Sequence, residues 1–209
     1  MKASNEPEFQ IDAIYSLEED PFARQKLIDG WQQERLRNAR VLVVGAGALG
    51  NEVLKNLALI GIGQIFILDS DIIEPSNLSR TVLFRKEDQG QSKAETAAKR
   101  THQLCVDDKS IIHGINADVN KIGDGLFRRM NVVIGCLDNV EARLAISRGC
   151  WLAGMPWVDG GIAGFRGNVT VYHPTYSGCY KCRIGDDDLA EINKRYSCDL
   201  RKKASVRGR

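Results

Sequence analysis

A chain of 209 residues, 43% of them hydrophobic, can bury the core of one domain, or of one domain plus an appendage, and is too apolar to be disordered. The formal charge is +2, but Arg201 to Arg209 supply five Lys or Arg and no acid, so the body holds 24 basic against 27 acidic residues, which lends no support to a general nucleic-acid-binding role. The longest apolar runs fall far short of the ~18 residues of a membrane span, the polar, acidic N-terminus is not a secretory signal, and six cysteines without an export signal read as reduced thiols, metal ligands or nucleophiles, which places the protein in the cytosol.

Residues up to about 37 are predicted helical, because Phe22, Leu27, Trp31 and Leu36 recur at near-helical spacing among charges. The run Val41-Leu42-Val43-Val44 ends in glycine and reads as a buried parallel strand. Residues 49–60 follow with helical periodicity, stopped by Gly61 and Gly63. Ile65-Phe66-Ile67-Leu68 is a second buried strand ending at Asp69. A loop with Pro75 leads to a helix over 92–104, then strands at 110–115 and 132–134, and a helix over 139–153. Trp157-Val158 is a short strand, and residues 168–172 alternate like an antiparallel one. Strands alternating with helices imply βαβ units, hence a Rossmann-like α/β fold with a mainly parallel sheet, flanking helices and an antiparallel extension. The organisation expected is an N-terminal helical segment (1–37), a nucleotide-binding domain (38–178) and a cysteine-containing C-terminal segment (179–209). That segment offers no strand or helix to finish the sheet, so the reading is of a truncated protein, with a natural disordered tail as the alternative.

Gly45-Ala46-Gly47-Ala48-Leu49-Gly50 lies between strand and helix. Gly45 permits a tight turn, Gly47 lets backbone N–H groups approach a phosphate, and Gly50 allows close helix–strand packing, while the helix N-terminus favours an anion. Asp69, at the end of the next strand, stands where an acid binds a ribose hydroxyl. A dinucleotide dehydrogenase would look the same to this point. The following residues separate the two: Asp69-Ser70-Asp71, then Asn77-Leu78-Ser79-Arg80, then Lys93 opening a helix, and Asp138-Asn139 after a buried strand. Two separated cations neutralise phosphate oxygens, and a strand-end carboxylate holds Mg²⁺ as a hard oxygen ligand. Hydride transfer needs nothing of the kind.

From residue 22 to residue 182 these motifs resemble the ubiquitin-activating (E1-like), molybdopterin-synthase adenylyltransferase and ThiF family. The resemblance rests on Asp69 and Asp71, on Asn77, Leu78 and Arg80, on Lys93, and on Asp138 followed by Asn139, Ala142 and Arg143. It implies ATP and Mg²⁺ as cofactors and adenylation of the C-terminal glycine carboxylate of a ubiquitin-like or sulfur-carrier protein, with release of pyrophosphate. Thr81 departs from the family, which usually has glutamine there, and so puts one phosphate contact in doubt. Phe22-Ala23-Arg24-Gln25 resembles the family's Asn-Arg-Gln segment, with Ala23 in place of asparagine; the likeness implies a homodimer in which Arg24 reaches the partner's triphosphate, against a solvated helix arginine. Residues 160–167 resemble the loop bordering the acceptor groove.

Cys179 and Cys182 have the spacing of half a zinc site. The family's second pair lies nearer its C-terminus, so Zn²⁺ belongs to the intact protein, and two reduced structural thiols are the alternative. Cys198 follows that pair at the distance where some single-domain relatives carry a thioester-forming nucleophile. Lys194, Arg195, Arg201 and Lys202 surround it and favour thiolate; an incidental loop cysteine is the competing reading. Thioester formation would add a conjugating enzyme as a partner. Cys105, Cys136 and Cys150 read as core, and His102, His113 and His173 fit no triad. Rival functions are a sulfur-carrier activator or an enzyme acting on a small peptide, a non-catalytic partner subunit, and a nicotinamide-dependent oxidoreductase. Retention of Arg80, Lys93 and Asp138 together argues against the non-catalytic subunit.

Overall fold

Alternate residues of a strand face opposite sides of a sheet, and the first strand here is apolar on both. In the computed structural model, which describes residues 20–163 and 165–185, β1 (Arg40–Val44) sends Val41 and Val43 into one core and Leu42 and Val44 into the other. Helices α2 (Ala48–Leu59) and α3 (Lys93–His102) contribute to the first core through Leu54, Ala97 and Ala98. Helices α4 (Asp124–Phe127) and α5 (Val140–Ala153) contribute to the second through Phe127 and Ile146. Such double-sided burial is what a parallel strand requires.

With β2 (Gln64–Leu68), β3 (Ile111–Ile115), β4 (Val132–Gly135), β5 (Trp157–Ala163) and β6 (Arg166–Tyr172), β1 forms a six-stranded sheet of order β3-β2-β1-β4-β5-β6. The pairs are parallel except β5–β6. The fold is the Rossmann-like α/β architecture with an antiparallel extension that the sequence predicts.

Two local expectations are corrected. Among the described residues of the N-terminal segment, 20–37, there is not one continuous helix: a 3₁₀ turn (Gln25–Leu27) and the short α1 (Gln33–Arg37) are separated around Gly30, whose φ of +81° breaks helical continuity. Leu27 is accordingly 70% exposed, whereas Phe22 is buried and lies under the Arg37 guanidinium, 5.7 Å from its ring centroid. The glycines at 160 and 161 are not in a loop either. They belong to β5, which runs to Ala163 because β6 pairs with it along its whole length, Trp157 opposite Tyr172 and Ala163 opposite Arg166. After β6, the turn Tyr180–Arg183 is held on the sheet by Tyr180, which meets the Trp157 and Tyr172 rings edge-on at 5.6 and 6.0 Å.

Candidate active site

The parallel strands end in one row. Ile115, Leu68, Val44, Gly135 and Asp159 are successive register partners across the sheet. The chain leaves β1 toward β2 on one side and reaches β4 on the other, so the order reverses at the end of β1, where α/β folds bind ligands. A cavity of about 520 Å³ opens there, and Gly45, Gly47, Asp69, Asp71, Asn77, Arg80, Lys93 and Asp138 all line it. Gly50 is buried just beneath the glycine turn.

The turn is built for close approach. Gly45 has φ +95°, and a Cβ there would lie 2.5 Å from the Cys136 carbonyl oxygen; one on Gly50 would lie 2.0 Å from the Gly45 carbonyl oxygen. Gly47 differs, since a Cβ there would meet nothing within 4 Å. It is also the N-cap of α2 and has no side chain to satisfy the first-turn N–H groups, which leaves them for an anion.

Asp69 ties the strand ends together. Its carboxylate accepts from the Ala46 N–H at 2.7 Å and from the Asp71 N–H at 2.8 Å. Burial pushes the Asp69 carboxyl above its ordinary range, while those two N–H groups and the Lys93 charge pull against the shift. Each oxygen keeps a lone pair for a further donor. Lys93 donates to Asp71 at 2.8 Å, with its side chain only 13% exposed. Arg80 is exposed and donates from Nη1 to the Ser76 carbonyl at 2.6 Å. The two cations thus stand on the same cavity wall system from different elements. Asn77 is buried, accepts from the Glu74 N–H at 3.0 Å, and fixes the turn that carries Arg80. Thr81 donates to the Asn77 carbonyl at 2.9 Å, so this residue supports that turn from beneath.

Asp138 follows β4 and is exposed, and it makes no hydrogen bond or ion pair among the described residues. One unengaged carboxylate fits Mg²⁺, which is held by one or two carboxylates plus phosphate oxygens and water rather than by a protein cage. No cluster of three or more His, Cys, Asp or Glu suited to a metal occurs among the described residues. Cys179 and Cys182 lie with their Sγ atoms 3.3 Å apart, but two thiols do not make a tetrahedral zinc site. The Cys179 thiol lies below its ordinary value: burial opposes the shift, but hydrogen bonds from Cys182 and from nearby backbone N–H groups outweigh it. Burial pushes Cys136 and Cys150 up to about 12, which removes both as nucleophiles at neutral pH. Arg24 is exposed and does not line the cavity of its own chain. Cys198 lies outside the described residues.

Asn51 went unnoticed as a functional residue. It is fully buried; its Nδ2 donates to the Ala46 and Gly47 carbonyls at 2.8 and 3.0 Å, and its Oδ1 accepts from the Leu83 N–H at 2.8 Å. The signal was available, since position 51 shares the apolar face of α2 with Leu54 and Ala58, and a polar residue there demands partners. Asp118, Asn120 and Glu141 also line the cavity without having been singled out.

A glycine turn at the switch point, a strand-end acid, two cations and an unengaged carboxylate line one cavity of a Rossmann-like α/β fold. The sequence profile of the ThiF family matches residues 22–205, and the chain belongs to that family. It is similar to the NEDD8-activating enzyme E1 catalytic subunit of Caenorhabditis elegans, with 37% identity over 170 residues that cover 72% of this chain and 38% of that protein. Ubiquitin-activating enzyme E1 1 of Candida albicans (strain WO-1) is 38% identical over 161 residues, covering 71% of this chain and 16% of its own. Among solved structures, E. coli MccB matches with a TM-score of 0.65 and 26% identity over 79% of this chain and 49% of that one. A crystal structure of MccB with AMPCPP and selenomethionine MccA superposes equally well. The chain therefore spans less than half the length of these two enzymes and about half of MccB.

Proposed function

We propose that this protein binds ATP·Mg²⁺ and adenylates the C-terminal glycine carboxylate of a ubiquitin-like protein. The observation that carries the reading is the convergence of Asp69, Arg80, Lys93 and Asp138 with the Gly45–Gly47 turn on one cavity. An acceptor carboxylate oxygen attacks the α-phosphorus in line; the new P–O bond forms as the α–β bridging bond breaks, and pyrophosphate leaves with the electron pair. The protein's part is positioning and charge stabilisation. Asp69 takes a ribose hydroxyl, the glycine turn and the α2 N-terminus take phosphate oxygens, and Arg80 and Lys93 stabilise the departing charge. When bound, Mg²⁺ supplies Lewis-acid neutralisation of the phosphates, and Asp138 is the residue that would hold it.

Lys93 leaves Asp71 for phosphate in this scheme, exchanging one anionic partner for another. The glycines of β5, which line the same cavity, give an extended acceptor tail room to lie against the backbone. Relatives named as NEDD8-, SUMO- and ubiquitin-activating enzymes support an acceptor of that class. A following transfer is part of the proposal: the Cys198 thiolate attacks the adenylated carbonyl, the C–S bond forms, and AMP departs. A conjugating enzyme would then be the next partner.

Two readouts test the two steps. Exchange of labelled pyrophosphate into ATP is followed with a panel of ubiquitin-fold proteins ending in glycine. Asp138→Ala should abolish exchange, a loss on the order of several kcal/mol, with the fold intact by circular dichroism. Exchange within tenfold of wild type would remove the Mg²⁺ role of Asp138. Cys198→Ala should keep exchange but lose a reductant-sensitive protein adduct; an adduct that persists leaves the sulfur-carrier reading in its place.

A further inference from the structure

Asp138 has no partner among the described residues, so its place is fixed only by the backbone of the turn between β4 and α5. Two side chains hold that turn. Asn139 caps α5 by accepting from the Ala142 N–H at 2.8 Å. Arg143, one turn into α5, reaches back, and its Nη2 donates to the Leu137 carbonyl at 2.5 Å. The same guanidinium grips β5: Nε donates to Asp159 Oδ1 at 3.1 Å, and Nη2 lies 3.3 Å from the Gly160 carbonyl oxygen. The two charged side chains are 14% and 5% exposed. The three contacts join the residue before Asp138 to the segment of β5 whose Gly160 and Gly161 line the same cavity.

We infer that Arg143 is a positioning residue, which sets where Asp138 stands relative to β5 and hence where a divalent cation joins the bound nucleotide. This inference rests on the nucleotide-binding reading above. The ordinary role for such a residue is to neutralise the buried Asp159, and a lysine would serve that role as well. It would not serve the role inferred here. A guanidinium carries five N–H donors in a rigid fork, and three of them are used on three acceptors from two elements. An ammonium at the end of a flexible stem keeps the charge beside Asp159 but cannot hold Leu137 and Gly160 together in the same geometry.

The test uses the full chain and α,β-methylene-ATP, with affinity measured by calorimetry in EDTA and in excess Mg²⁺, and with Mn²⁺ binding to the protein–analogue complex followed by electron paramagnetic resonance. Wild type should bind the analogue more tightly with metal, and Asp138→Asn should lose that gain. Arg143→Lys should still unfold cooperatively and keep its EDTA affinity within threefold, yet bind Mn²⁺ at least tenfold more weakly. Combined with Asp138→Asn it should cause no further loss, because both act on one contact. A normal metal-dependent gain in Arg143→Lys, or losses that add in the double variant, would overturn the inference. If Arg143→Lys lacks a cooperative unfolding transition, Asp159→Asn takes its place, and the same weakened Mn²⁺ binding supports the role while unchanged binding ends it. Binding without a metal-dependent gain in the wild type would also overturn the inference, whereas no binding of the analogue in either condition is a separate outcome, which refutes the nucleotide reading itself.

Discussion

Three glycines of one motif answer to three different demands. Gly45 is held by its backbone angle and by the Cys136 carbonyl, and Gly50 by the Gly45 carbonyl that its missing Cβ admits. Gly47 meets no such constraint: its φ is −74°, which any residue adopts, and the space above it is open. Its smallness matters only to something that enters the cavity. Gly50→Ala should therefore lower stability by roughly 1–3 kcal/mol through overpacking, read as a lower urea midpoint. Gly47→Ala should leave that midpoint in place and weaken ATP binding by about tenfold or more, because a methyl stands between the α2 N–H groups and a phosphate. Equal destabilisation by both substitutions would refute the division. Asp69 and Asn77 show why single residues resist one-line assignment, since each braces the backbone of its own turn while lining the cavity.

At the scale of elements, what was legible in the sequence follows physical strength. Strands buried on both faces, such as β1 and β2, are continuous apolar runs rich in Val and Ile and read directly, and the long α5 announces itself by its cap Asn139 and its C-terminal Gly154 at φ +70°. Of the eight predicted site residues that line the cavity, Gly45, Asp69 and Asp138 follow strands and were legible for the same reason, whereas Asn77 and Arg80 are brought there by the turn after β2 and Lys93 by the start of α3. Extension of β5 through its glycines was not legible, because glycine has little strand preference and only pairing with β6 orders it. Asn51 and Arg143 were missed as working residues because their roles are to brace other segments, and those partners are 32 and 16 residues away in sequence. Asn51→Leu makes that point measurable. The volume is kept, but the Leu83 N–H and the Ala46 carbonyl lose their partner in a buried setting, at roughly 1–3 kcal/mol for each group left unsatisfied. Urea unfolding should show the loss, and nucleotide affinity should fall with it, because the same carbonyls shape the glycine turn. A stability change under about 0.5 kcal/mol, the range of an ordinary surface substitution, would mean the brace contributes nothing.

At the scale of the molecule, the described residues leave apolar surface open on the β5–β6 ribbon. On one face of the β5–β6 ribbon, Ile162, Val169 and Val171 are 68%, 75% and 60% exposed, and Val158 lies opposite Val171 in the register. Contiguous apolar surface of this kind is characteristic of an interface. Arg24 points to the same conclusion from another side: Phe22 and Ala23 are buried and anchor the segment, yet Arg24 is exposed and stands apart from the cavity of its own chain. Both observations are met if a second copy binds and Arg24 completes its partner's site, where an always-charged planar guanidinium would stabilise the pyrophosphate as it leaves. Arg24→Ala and Asp138→Ala should each be inactive in pyrophosphate exchange. Mixed and allowed to exchange subunits, they should recover activity, since one of the two sites in a mixed dimer carries both residues intact. Random exchange of equal amounts makes half of the dimers mixed, each with one working site, so recovery should approach about a quarter of the wild-type rate per chain, given the loss of every other site. Sedimentation of differently tagged chains would establish that exchange has occurred. With exchange established, a mixture as inactive as its components would show that Arg24 does not act across the interface.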